Sequence, residues 1–121
     1  MILVVDDEDE IRALFVRYLG KKGYEVQSVA NLTDGRELYK KIKPFLIFLD
    51  VNLPDGNGLE ELCELKKANL SGIVVMMSAF VHQEDRVKAQ SLGAIDFLSK
   101  PFSLSLLDQV IQSQLTHPSI P

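Results

Sequence analysis

Phe45-Leu46-Ile47-Phe48-Leu49-Asp50 is an apolar run of strand length that stops at a carboxylate. It is apolar at every position before Asp50, the pattern of a strand buried on both faces in a parallel sheet covered by helices. Two other runs behave alike: Met1 to Val5 ends in Asp6-Asp7, and Ile95 to Ser99 ends in Lys100-Pro101. As neighbouring parallel strands they would deliver the acids and the lysine to one edge of the sheet, where open α/β sheets bind their ligands.

Outward from this run, strand-like segments alternate with stretches of helical period. The strand-like segments are Ile2 to Val5, Glu25 to Val29, Phe45 to Leu49, Ile73 to Met77 and Ile95 to Leu98. After the first, Ile11, Leu14, Phe15, Tyr18 and Leu19 repeat at the spacing of an amphipathic helix, which Gly20 and Gly23 punctuate. A second helix is expected over Asp34 to Ile42, ending before Pro44 because a pre-proline residue disfavours helix. A third is expected over Leu59 to Ala68. The fifth has Ser103 as N-cap, with Leu104, Leu107, Ile111 and Leu115 on one side. The fourth, His82 to Leu92, offers little besides Val87, Ala89 and Leu92 to bury, which suits local mobility. The pattern predicts an α/β, doubly wound (βα)5 domain over residues 1–115, with helices on both faces of a five-stranded parallel sheet. Residues 116–121 carry two prolines and no pattern, and are expected to form a frayed tail or the start of a linker.

A chain of 121 residues suits one domain with one substantial core. With 46% hydrophobic and 25% charged residues it has an ordinary globular composition. No apolar run approaches the roughly 20 residues of a membrane helix. Met1 leads directly into a strand-like run without a signal-peptide pattern, so a cytoplasmic protein is expected. The net charge of −4 argues against direct nucleic-acid binding. Lys40, Lys41 and Lys43 read as a solvated helix end. Cys63 is the only cysteine, which rules out an intrachain disulfide, and its spacing after Leu59 and Leu62 suggests a small core residue. His82 and His117 make no ligand pair with it, so zinc is not expected.

Asp6, Asp7 and Asp50 at adjacent strand ends would place like charges within a few ångströms, a cost that a cation relieves. Mg²⁺ fits: it prefers oxygen ligands, uses one or two carboxylates and keeps waters that a phosphate oxygen can replace. Alone, Asp6-Asp7 reads first as a solvated loop start or helix N-cap, and Asp6-Asp7-Glu8-Asp9 opens a helix, where negative charge suits the macrodipole. Agreement with the other strand ends changes that reading. A carboxylate directly after a buried strand can be a nucleophile that takes a phosphoryl group as an acyl phosphate, which suits Asp50. Lys100 could pair with Asp50 or with phosphate oxygens. Its bond to Pro101 can be cis at modest cost, and a cis bond would aim Lys100 into the site. Ser78, just past the fourth strand, could hydrogen-bond a phosphoryl oxygen or cap the following segment.

With these residues in place, the chain resembles the receiver domain of two-component response regulators over nearly its whole length. The resemblance rests on Val4-Val5-Asp6-Asp7-Glu8, the stretch from Leu49-Asp50 through Pro54-Asp55-Gly56-Asn57-Gly58, Met77-Ser78-Ala79, Leu92-Gly93-Ala94, and Asp96-Phe97-Leu98-Ser99-Lys100-Pro101-Phe102. It implies a flavodoxin-like sandwich of strand order 2-1-3-4-5, as in chemotaxis receivers. It implies that Asp50 accepts a phosphoryl group from a sensor histidine kinase or a histidine phosphotransfer protein. Asp7, Asp50 and the main-chain carbonyl of Asn52 would hold Mg²⁺ or Mn²⁺, with Asp6 acting through a metal-bound water. Lys100 and Ser78 would hold phosphoryl oxygens, and Ser78 with Phe97 would switch the face made by helix 4, strand 5 and helix 5 toward an effector. The chain is then a phosphoacceptor, not an enzyme with a metabolic substrate. A phosphorylation-dependent dimer is compatible with the family, although the fifth helix lacks arginine, unlike the charged dimer interface of winged-helix regulators.

Ser78 stands where threonine is more frequent and Phe97 where tyrosine is, while Asn52 and Phe80 occupy positions that tune access of water to the phosphoryl group. Two rivals compete. A haloacid-dehalogenase-type phosphatase also places Asp after an apolar strand, but Asp50-Val51-Asn52 imitates its motif only loosely. A protein-binding module with this fold and no phosphorylation would have little use for Asp7, Asp50, Ser78 and Lys100 together.

Overall fold

The computed structural model describes residues 1–69, 72–80 and 82–115. Five parallel strands form the main sheet: β1 (Ile2–Val5), β2 (Val26–Val29), β3 (Leu46–Asp50), β6 (Ile73–Ser78) and β7 (Asp96–Ser99). Their order is β2-β1-β3-β6-β7, which is 2-1-3-4-5 when only the strands of this sheet are counted. Between β3 and the third helix, β4 (Asn52–Leu53) and β5 (Gly56–Asn57) pair as a two-residue antiparallel ladder that the sequence pattern did not signal. The helices are α1 (Asp9–Lys21), α2 (Leu32–Ile42), α3 (Gly58–Lys67), α4 (Gln83–Ser91) and α5 (Leu104–Leu115).

Alternation along the buried strands builds two cores. Ile2, Val4, Leu46, Phe48, Val75, Met77 and Leu98 pack against Phe15 and Leu19 of α1 and Leu107, Val110 and Ile111 of α5. On the opposite face, Leu3, Val5, Ile47, Leu49, Val74, Met76 and Phe97 meet α2, α3 and α4. The winding therefore reverses next to β1, and the crevice at the carboxyl ends of β1 and β3 is the place where this topology presents a ligand site.

Differences from the sequence reading lie at element ends. α2 starts at Leu32, two residues before the expected Asp34, because the Asn31 side chain caps it by accepting from the Asp34 amide. β3 and β7 each run one residue further, taking in Asp50 and Ser99. α4 buries only Ala89, in line with its weak apolar pattern. Cys63 is partly exposed on α3 instead of lying in the core. Residues 116–121, expected as a tail, lie outside the described residues. No helix among the described residues is long and apolar enough to cross a membrane.

Candidate functional site

Main-chain pairing sets the strand ends level with one another. Asp6 donates its amide to the Val29 carbonyl at 3.1 Å, Val51 to Met77 at 2.9 Å and Lys100 to Ser78 at 2.8 Å. The loop after β1 folds back on itself: the Glu8 amide donates to Asp6 Oδ1 at 2.9 Å, and Arg12 Nη1 donates to the Asp6 carbonyl at 2.8 Å. After β7 the Lys100–Pro101 peptide is cis.

These elements bring four of the expected residues together. One carboxylate oxygen from each of Asp6, Asp7 and Asp50 lies within 4.8 Å of the others. Asp6 and Asp50 are buried, whereas Asp7 is exposed. Lys100 Nζ reaches Asp6 Oδ2 at 2.6 Å, Glu8 Oε1 at 2.8 Å and Asp50 Oδ2 at 3.2 Å. The contact with Asp6 Oδ2 is ionic, for that enclosed oxygen receives no aligned hydrogen bond among the described residues.

Burial, and then the Asp6 carboxylate, push the Asp50 carboxyl up to about 6. Burial also raises Asp6, and Lys100 only partly offsets this. For Lys100, burial works against the charge, yet the close contacts with Asp6 and Glu8 and the charge of Asp50 outweigh it and raise its pKa. The ammonium therefore stays charged while the buried carboxylates are under-neutralised. A divalent cation fits this donor set, because hard oxygen ligands converge and one buried oxygen has only an ammonium beside it.

Other expected residues stand apart from the cluster. The Ser78 hydroxyl is turned to the main chain of Phe80, donating to its carbonyl at 3.0 Å and accepting from its amide at 3.1 Å. It caps its own loop in this state. Phe97 is buried, with the Arg86 guanidinium 5.4 Å from its ring centre and donating to Ser99 at 3.2 Å. A groove of about 300 Å³ lies beside it, lined in part by Arg86, Val87 and Ile95. Phe80 is 72% exposed.

Three contributors were not legible beforehand. Glu8, read only as a helix-opening acid, contacts Lys100. Asp55, given no role of its own in the sequence, staples the loop after Asp50 to the start of α2 by accepting from the Leu32 amide at 2.8 Å and the Thr33 amide at 2.9 Å. Glu61, buried on α3, accepts from Arg36 of α2 at 2.8 and 3.1 Å. A glutamate at helical spacing reads as surface unless the partner helix is known.

This constellation, an acid pocket and a lysine at the switch point of a five-stranded flavodoxin-like sheet, defines a receiver-type fold and site. Residues 2–112 match the family of response regulator receiver domains, and the chain belongs to that family. It is 35% identical over 107 residues to the chemotaxis protein CheY of Thermotoga maritima, covering 86% of this chain and 88% of that one. It is 31% identical over 114 residues to the regulatory protein AtoC of Escherichia coli, covering 94% of this chain but 25% of AtoC. Several curated relatives are thus much longer than the segment they share with this chain. The receiver domain of NtrX from Brucella abortus superposes with a TM-score of 0.88 at 35% identity, covering 98% of this chain and all of that one.

Proposed function

We propose that this receiver domain takes a phosphoryl group onto Asp50 and uses it to switch a binding surface. The observation that carries the reading is the convergence of Asp6, Asp7, Asp50 and Lys100 at three strand ends. In the reaction the N–P bond of a phosphohistidine on a sensor kinase or phosphotransfer protein breaks, and a bond from an Asp50 oxygen to phosphorus forms. The imidazole leaves with the electron pair. Catalysis of this kind is mostly positioning and charge neutralisation. Asp7, Asp50 and the Asn52 carbonyl would hold Mg²⁺ or Mn²⁺, with Asp6 acting through a metal-bound water. The cation would neutralise charge on the phosphoryl oxygens, while Lys100 holds one of them directly.

The phosphoryl group adds about −1.5 to −2 charge near neutral pH. Ser78 would exchange its Phe80 contacts for a phosphoryl oxygen, and Phe97 would repack beneath Arg86. The altered surface would be α4, β7 and α5, presented to an effector domain, a partner protein or a second copy of the chain. The protein would act in the cytoplasm as a signalling phosphoprotein and not as a metabolic enzyme, with residues 1–115 as the receiver and 116–121 as tail or linker.

Intact mass after incubation with acetyl phosphate, with and without Mg²⁺, tests this on wild type and Asp50→Ala. The expected result is one Mg²⁺-dependent, hydroxylamine-labile phosphoryl group in wild type and none in the variant. No adduct in wild type, together with no uptake of beryllofluoride, would overturn the reading and leave a phosphorylation-independent binding module.

A further inference from the structure

Glu8 stands at the N-cap position of α1, yet its side chain caps nothing there. N-cap side chains ordinarily accept from the first amides of their helix. Here the carboxylate turns the other way and receives Lys100 Nζ, 92 residues distant in sequence, at 2.8 Å. The backbone supports that direction, because the Glu8 amide is tied to the Asp6 carboxylate.

An ammonium has three N–H donors. Three carboxylates surround Lys100 Nζ, with Asp50 the most distant at 3.2 Å. Because Nζ sits closer to Asp6 and Glu8 than to Asp50, a closer approach to a phosphoryl oxygen on Asp50 lengthens one of those two contacts. Asp6 is a poor one to abandon, since its side chain is fully enclosed, whereas that of Glu8 is 55% exposed and can be rehydrated.

Resting on the phosphoacceptor reading above, we propose that Glu8 is a positioning residue whose carboxylate parks the Lys100 ammonium beside the acid pocket and releases it when a phosphoryl group forms on Asp50. Glu8 thereby favours the unphosphorylated arrangement. It also helps a divalent cation enter, by holding Lys100 back from the oxygens that the cation needs.

This makes the effects of removing Glu8 opposite in sign. In Glu8→Gln the ammonium is free to move toward Asp50, so beryllofluoride, a phosphoryl mimic, binds more tightly at saturating Mg²⁺, while Mg²⁺ alone binds more weakly. A half-exposed ion pair sets the scale at up to about fivefold in each direction. Glu8→Asp keeps the charge but shortens the reach, and it behaves like Glu8→Gln if contact with Lys100 is what matters. In a Lys100→Met background the Mg²⁺ shift disappears.

Calorimetric titration of the folded wild type and these variants with Mg²⁺, then with beryllofluoride, reads both affinities. Opposite shifts in Glu8→Gln and Glu8→Asp, with the Mg²⁺ shift lost without Lys100, are expected. Unchanged affinities, shifts of the same sign, or a Mg²⁺ shift that persists in Lys100→Met would overturn the proposal while leaving the phosphoacceptor reading intact. Failure of wild type to bind beryllofluoride would instead count against that reading.

Discussion

Gly58 lies so close to the main chain of Asp50 that a Cβ on residue 58 would sit 2.1 Å from the Asp50 carbonyl oxygen. The Gly58 amide donates to the Val51 carbonyl at 2.7 Å, locking the loop that follows Asp50. Gly58→Ala must push backbone against backbone, so it should destabilise the domain by about 1–3 kcal/mol. It should also displace Asp50 from Lys100 and weaken divalent-ion binding. Thermal melts paired with Mg²⁺ titration check this, and an alanine variant with wild-type melting and binding would show that the loop yields freely.

Arg36 and Glu61 clasp α2 to α3 through a forked ion pair in which the Glu61 side chain is 3% exposed and that of Arg36 is 53% exposed. Removing the arginine leaves a buried carboxylate without its partner, the costly way to break such a pair. Arg36→Ala should lower stability by about 1–3 kcal/mol, discounted for the exposure of the arginine end. Adding Glu61→Leu to that variant should recover much of the loss, because the desolvated charge goes with it. Chemical denaturation of the single and double variants would reveal strictly additive losses if no such coupling exists.

Stability without metal should depend on pH in two opposed steps. Burial raises the Asp50 carboxyl from 3.8 to about 6, so between those values the folded state holds a proton that the unfolded chain has released. This contribution is full below about pH 4 and is lost as pH rises through about 6, on the order of 3 kcal/mol by neutrality. The Leu32 amide, with Thr33, lowers Asp55 from 3.8 to about 2, which gives the reverse: a contribution present above about pH 4 and lost as pH falls through 2. Melting temperature in chelator should thus rise from pH 2 to 4 and then decline toward neutrality. Asp50→Asn should flatten the decline, and millimolar Mg²⁺ should reverse it in wild type. A decline that persists unchanged in Asp50→Asn would assign it to other groups.

The fold was legible because its central strands β1, β3 and β6 are buried on both faces and say so residue by residue: Phe45 to Leu49 has no polar side chain to mislead. The convergence of Asp6, Asp7, Asp50 and Lys100 followed from where those runs stop. What stayed hidden depended on contacts across the sheet edge or between helices. Glu8 and Asp55 are acids in acid-rich or turn-like surroundings, and only the folded chain shows that one reaches Lys100 and the other the amides of α2. Ser78 was singled out in the sequence with two alternative roles, and the fold shows its hydroxyl bonded to the Phe80 main chain.

Phe80 follows the Ser78 turn and is 72% exposed, so it contributes little to the core. Phe80→Ala should change stability by no more than about 0.5 kcal/mol, the range of surface substitutions. On the phosphoacceptor reading proposed above, an apolar ring two residues past Ser78 would shield an acyl phosphate on Asp50 from the water that attacks phosphorus. Its removal should shorten the lifetime of the acyl phosphate severalfold while leaving the rate of its formation from acetyl phosphate close to wild type, since only the hydrolytic step needs that water. Following the phosphorylated species by intact mass after removal of the donor measures the decay directly. An unchanged lifetime in a stably folded Phe80→Ala would place the ring away from the path of attack and assign slow hydrolysis, if found, to Asn52.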